Sequence, residues 1–142
     1  MEDLQVAERA YAAGLFDGEG HIGIAVAKNG RGELYHRLMI DITNTNVEIV
    51  HWLFERWDGV IHAPRYFAKE EWRTAHRWTV CDGRAMRFLE DVLPFLIIKK
   101  EQAELGIEFQ KTKTRGGFGA PKPDLVYRDE VREKISNLNK GL

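Results

Sequence analysis

Two carboxylates, Asp17 and Glu19, stand near the end of the stretch Ala12-Ala13-Gly14-Leu15-Phe16-Asp17-Gly18-Glu19-Gly20-His21, and strand-like sequence follows at once. Upstream, Ala10, Gly14 and Gly18 recur every four residues, so on a helix they line one face. Each interior glycine costs a helix roughly 1 kcal/mol relative to alanine. A face that keeps both Gly14 and Gly18 suits close approach by another backbone, where a side chain would not fit. Glu19 then falls at the C-terminal end of the helix, where the dipole is negative and backbone carbonyls lack partners. A carboxylate placed there calls for a cation. Hard divalent ions take carboxylate and carbonyl oxygens, and need few protein groups when water and substrate complete the shell. Such an ion activates water and neutralises developing charge, as hydrolysis requires.

The segment from Ala12 to Gly20 resembles the motif that names the LAGLIDADG homing endonucleases. Ala13, Gly14, Leu15, Asp17 and Gly20 match it, Phe16 and Glu19 are conservative, and Ala12 and Gly18 are small-residue variants. The resemblance implies a site-specific, Mg²⁺-dependent double-strand DNA endonuclease, with Mn²⁺ able to substitute. It implies Glu19 as the metal-binding acid, the Gly18 carbonyl as a second ligand, and Asp17 as a more structural acid. In that family a chain with one motif is a homodimer. It cuts a palindromic or near-palindromic site across the minor groove and leaves short 3′ overhangs. The sequence holds one motif and no internal repeat. The expected dimer interface is therefore Ala10, Gly14, Gly18 and Asp17, with both Glu19 carboxylates beside a two-fold axis.

Two further catalytic candidates rest on the same resemblance. Lys99 follows Pro94-Phe95-Leu96-Ile97-Ile98, which is similar to the family segment whose lysine enters the cleavage site. A cation there would polarise the attacking water or stabilise the phosphorane-like state; Lys100 is an equal chemical candidate. Asn44 matches a family position that holds a polar, water-orienting residue, and Asn46 competes for the same register. One departure stands out. Some members place an active-site arginine four positions beyond that residue, where this chain has Glu48; Arg56 and Arg65 are the available substitutes.

The elements that must position these residues are legible in the pattern. Leu4 to Gly18 reads as a helix. His21 to Lys28 alternates, with Ile22, Ile24 and Val26 on one side, and Asn29-Gly30 signals a hairpin. The return strand, Glu33 to Thr43, turns Leu38, Ile40 and Ile42 one way and Tyr35, Arg37, Met39 and Asp41 the other. Thr45 or Asn46 caps a second helix, Val47 to Trp57, ended by Asp58-Gly59. A second hairpin, Val60 to Phe67 and Arg73 to Cys81, has Trp78 and Val80 as inward residues. A third helix, from about Gly83 to Leu93, stops at Pro94, and another covers about Lys99 to Lys111. Thr112 to Pro123 is a glycine- and proline-rich loop, and a polar helix, Tyr127 to Asn139, closes the chain.

The order predicts an α+β fold, αββαββα(α). By resemblance it is a saddle-shaped, antiparallel four-stranded sheet with helices on one face and DNA on the other. The expected organisation is one endonuclease domain over 1–112, with the loop and last helix of 113–142 belonging to it. DNA contacts should come from the strand face opposite the apolar side and from the hairpin tips. On the first hairpin these are His21, Lys28, Arg31, Tyr35, Arg37, Met39 and Asp41; on the second, Arg65, Lys69, Arg73, Arg77 and Thr79. In the major groove, arginine reads guanine and acids read cytosine, while lysines position the backbone.

Bulk properties bound the rest. The chain has 142 residues, 44% of them apolar, enough for one ordinary core. Its net charge of −1 lends DNA binding no support, although basic residues concentrate in both hairpins. A single cysteine, Cys81, excludes an internal disulfide and a cysteine zinc site. No apolar run is long enough to span a membrane, and Met-Glu-Asp-Leu-Gln lacks signal-peptide character, so a soluble intracellular protein is expected. His21, His36, His51, His62 and His76 show no zinc spacing and read as surface or DNA-facing residues. There is no Walker loop and no nucleophilic triad. The competing functions are a catalytically reduced relative acting on RNA as a splicing maturase, or a DNA-binding regulator. A purely structural module would leave the acidic helix end unexplained.

Overall fold

The structure is a computed structural model that describes residues 4–65, 74–113 and 124–142. Helix α1 (Val6–Glu19) passes directly into strand β1 (Gly20–Lys28), which is followed by β2 (Leu34–Asn44) and helix α2 (Val47–Trp57). Strands β3 (Val60–Arg65) and β4 (Ala75–Cys81) lead to α3 (Asp82–Val92), α4 (Lys100–Thr112) and α5 (Leu125–Lys140). The fold is α+β, and its sheet is antiparallel in the order β1-β2-β4-β3.

Alternation explains which face is covered. Ile22, Ile24, Leu38, Ile40, Ile42, Trp78 and Val80 all point to one side and are buried. The helices add Ala12, Ala13 and Phe16 from α1, Val50, Leu53 and Trp57 from α2, and Ala85, Phe88, Leu89 and Val92 from α3. Phe88 meets Phe16, Trp57 and Trp78 edge-on, with ring centroids 5.0–5.5 Å apart. α5 contributes Val131 and Ile135 to the same core, and its Asn139 side chain donates to the Ile22 carbonyl on the edge strand. That bond satisfies an acceptor that an edge strand would otherwise leave open.

Local chemistry fixes the ends. The Asn46 side chain accepts from the Glu48 amide and so caps α2, and Asp124 does the same for α5 through the Tyr127 amide. Asp58, at φ 58°, ends α2 ahead of Gly59. The first hairpin is longer than the Asn29-Gly30 pair suggests. Asn29 Oδ1 accepts from the amides of Arg31 and Glu33, and Gly32 rather than Gly30 takes the positive φ. A 3-10 turn (Leu93–Phe95) carries Pro94 beyond α3 and delivers Ile97 and Ile98 to the surface. No helix among the described residues is long and apolar enough to cross a membrane.

Candidate functional site

The end of α1 is where the chemistry-bearing side chains gather. Glu19 is the last helical residue, and Gly20 adopts an extended conformation immediately after it. A Cβ on Gly20 would collide with the Phe16 ring and carbonyl, so only glycine makes this abrupt exit. Glu19 is exposed, and its Oε2 accepts from Asn44 Nδ2 at 2.5 Å. Asn44 cannot turn its amide away, because its Oδ1 accepts from the Asn46 amide at 2.7 Å. Asn44 and Asn46, rivals in sequence, thus take different roles: one faces Glu19 and the other caps α2.

Asp17 faces inward from the same turn. Its carboxylate accepts from the backbone amides of Ile97 at 2.8 Å, Ile98 at 3.2 Å and Lys99 at 3.0 Å. It therefore caps the start of α4 and is committed to its own chain rather than held free for an interface. Lys99 completes the clasp, since its ammonium donates to the Asp17 carbonyl at 2.7 Å. Lys99 is buried, and burial pushes its ammonium below the ordinary lysine value, an effect that Asp17 opposes. Lys100 is exposed, so Lys99 is the lysine at the end of α1.

These groups suit a hard divalent ion. Helix geometry leaves the Gly18 carbonyl without an intrahelical donor, beside the exposed Glu19 carboxylate and at the negative end of the dipole. The described residues hold no cluster of three or more His, Cys, Asp or Glu side chains able to hold a metal. An ion here would take Glu19 and the Gly18 carbonyl, with the remaining ligands from water and substrate.

The stripe on α1 faces outward. A Cβ on Gly14 or Gly18 would meet nothing within 4 Å, and Ala10 is exposed. Large apolar side chains flank it without cover: Val6, Tyr11, Ile97 and Ile98 are 67%, 56%, 87% and 53% exposed. Ile97 and Ile98 lie outside the motif, and so outside the expected interface of Ala10, Gly14, Gly18 and Asp17. Two consecutive isoleucines beside Lys99 are nonetheless a signal visible in the sequence.

The sheet face opposite the core carries most of the predicted DNA contacts. His21 and Asp41 face each other across β1 and β2, with Nδ1 and Oδ2 3.9 Å apart. Tyr35, Met39 and Arg77 lie on this face, and Lys28 and Arg31 are exposed at the hairpin tip. Arg37 is not loose: its Nε and Nη2 donate to Asp82 Oδ2 at 3.1 and 2.9 Å, and that bond raises its pKa. Lys69 and Arg73 lie outside the described residues, as does the side chain of Arg65.

Three expectations are corrected. Thr79 is buried, because His62 of β3 covers it and meets its hydroxyl at 2.9 Å. His62 is thus a polar residue of this face that the DNA-contact candidates omitted. His36 is not at the surface: it shares the parity of Leu38 and Ile40, is 1% exposed, and reaches Asp129 of α5 at 3.0 Å. Arg56 cannot replace the missing arginine, being held by Glu8, the Trp52 carbonyl and the Trp52 ring.

No protein-family model matches the sequence, and no curated relative does. Solved structures do match. The homing endonuclease I-CvuI, in complex with the I-CreI target, aligns with a TM-score of 0.72 at 17% identity, over 93% of this chain and 82% of its own. The homing endonuclease I-TnaI aligns at 0.60 and 16% identity, over 99% of both chains. The LAGLIDADG homing endonuclease I-SmaMI, bound to cleaved DNA, aligns at 0.58 and 13% identity, over 100% of this chain and 46% of its own. The fold of this chain is the LAGLIDADG homing endonuclease fold.

Proposed function

We propose that this protein is a site-specific double-strand DNA endonuclease of the homing type, acting as a homodimer with a divalent metal, Mg²⁺ or Mn²⁺. The observation that carries the reading is the end of α1 beside a polar sheet face: Asn44 donates to the Glu19 carboxylate, and two residues earlier the Asp17 carbonyl accepts from the Lys99 ammonium. The neighbours add support, since I-CvuI and I-SmaMI are described in complex with DNA.

Glu19 and the Gly18 carbonyl would hold the metal, which when bound supplies water activation and charge neutralisation at phosphorus. Asn44 fixes the Glu19 carboxylate through one oxygen and leaves the other for binding. Lys99 presents a desolvated ammonium at the helix end, placed to stabilise negative charge that develops on the phosphate. Asp17 acts on neither metal nor phosphate; it holds Lys99 and its segment in place. With Glu48 exposed and Arg56 occupied, Arg77 is the arginine best placed to complete the basic side, lying opposite Thr43 in the register next to Asn44.

The described residues of one chain carry one such group, and a concerted cut of both strands calls for two. The outward stripe of Ala10, Gly14 and Gly18 supports pairing of two α1 helices, and I-SmaMI, about twice as long, supports two units per active particle. The test is a randomised duplex library incubated with Mg²⁺ or with Ca²⁺, followed by sequencing of ends and bound pool. Two-fold symmetric, Mg²⁺-dependent ends are expected. Selected binding without ends would overturn the nuclease in favour of a binding protein, and no DNA enrichment would redirect the search to RNA.

A further inference from the structure

Arg37 sits on the polar face of β2, across from Ala25 of β1, so no bulky neighbour on that strand crowds it. Its guanidinium spends Nε and one face of Nη2 on a single oxygen of Asp82, at 3.1 and 2.9 Å. A guanidinium bound through that side keeps its end, Nη1 and the second Nη2 proton, as a parallel pair of donors. That pair matches the O6 and N7 acceptors of guanine in the major groove.

Asp82 is itself fixed. It follows Cys81, which pairs with Met39, and it opens α3 at φ 54°, a backbone region that side chains other than glycine rarely take. Its second oxygen lies 3.4 Å from the Lys113 ammonium, which also donates to the His36 carbonyl at 2.8 Å. A carboxylate held by strand, helix and lysine restricts the arginine before any ligand arrives, which lowers the ordering cost of recognition. An unusual φ retained at such a point is the kind of local strain that functional sites keep.

We infer that Asp82 is a positioning residue that aims Arg37 at one guanine in each half of the DNA site. The inference rests on the nuclease reading, because it needs duplex DNA on this face. Lys113 holds Asp82 from behind and contributes no base contact.

The experiment is site selection from a randomised duplex library in Ca²⁺ with the wild type, Arg37→Ala and Asp82→Gly. Glycine adopts the positive φ readily, so Asp82→Gly removes the acceptor and leaves the turn intact. The wild type should prefer guanine about ten- to a hundred-fold at one position per half-site. Both variants should lose that preference at the same position and keep the rest of the profile, which also reports that they are folded. If Asp82→Gly keeps the guanine preference, whatever Arg37→Ala does, the pair is a structural tie between β2 and α3 and the inference is overturned. If Arg37→Ala keeps it, Arg37 reads no base and the inference falls likewise. A wild-type pool without any selected sequence overturns the nuclease reading, and this inference with it.

Discussion

Asp17 and Lys99 hold each other in both directions: the aspartate side chain takes the lysine's backbone amide, and the lysine side chain takes the aspartate's backbone carbonyl. The clasp joins the last turn of α1 to the first of α4 across a long stretch of sequence. It fixes the lysine without neutralising it, because the ammonium meets a carbonyl dipole while the carboxylate is spent on amides.

Asp17→Ala should therefore loosen the segment of Ile97 to Lys99 and cost stability of about 1–3 kcal/mol, the usual consequence of stranding polar groups at a helix cap. Urea unfolding of the isolated variant measures it. Asp17→Asn should fall between, since one amide oxygen still accepts.

Glu19→Gln should abolish cutting while site-selected DNA is still bound. The reason is loss of the anionic metal ligand with little change of shape, as a glutamine oxygen still accepts from Asn44. Binding by electrophoretic shift in Ca²⁺ and turnover in Mg²⁺ separate the two effects; undiminished turnover refutes the metal role.

The pH dependence has a definite sign. Burial lowers the Lys99 pKa from the ordinary 10.5, so the folded protein releases this proton at a lower pH than the unfolded chain. Below the folded value the buried charge costs stability. That cost is relieved as pH rises through the folded value toward 10.5, so this group's contribution to stability increases across that window. Cleavage should move oppositely, failing on the alkaline side as the ammonium is lost. Lys99→Arg should keep its charge to higher pH, and a pH–rate profile of both proteins checks the shift.

Gly14→Leu should separate folding from association. A Cβ at this position meets nothing inside the protomer, and the change removes a helical glycine worth about 1 kcal/mol, so the protomer should keep its helical signal and its fold. Sedimentation should nonetheless report monomers, and cutting should be lost. Gly106→Ala is the contrast. Its Cβ would lie 3.0 Å from Ile22 and Leu89 and 3.1 Å from Leu38, so the cost falls on the core itself.

What the sequence made legible was local. The spacing of Ala10, Gly14 and Gly18 marked a helix with an outward stripe, and alternation in Ile22 to Val26 and Leu38 to Ile42 marked the sheet and its inner face. The same alternation already put His36 with Leu38, so its burial was readable; treating the histidines as a group hid it. What stayed hidden were relationships between distant segments. Nothing near Arg37 announces Asp82, nothing near Asp17 announces Ile97 to Lys99, and the burial of Thr79 depends on where β3 sets His62. Charge counts misled for a related reason: Arg56 is a cation in composition and a clamp in the structure.

There is no loop between Glu19 and Gly20: the helix that would meet a second copy ends on one residue, and the strand that would face a duplex begins on the next. A shift or rotation of α1 is therefore delivered undamped to the strand carrying His21. Interchange of subunits between two such proteins would then change which bases are tolerated even where no base-contacting residue differs. Under the proposed function, assembly and sequence preference would be one mechanical variable, and neither would drift without the other.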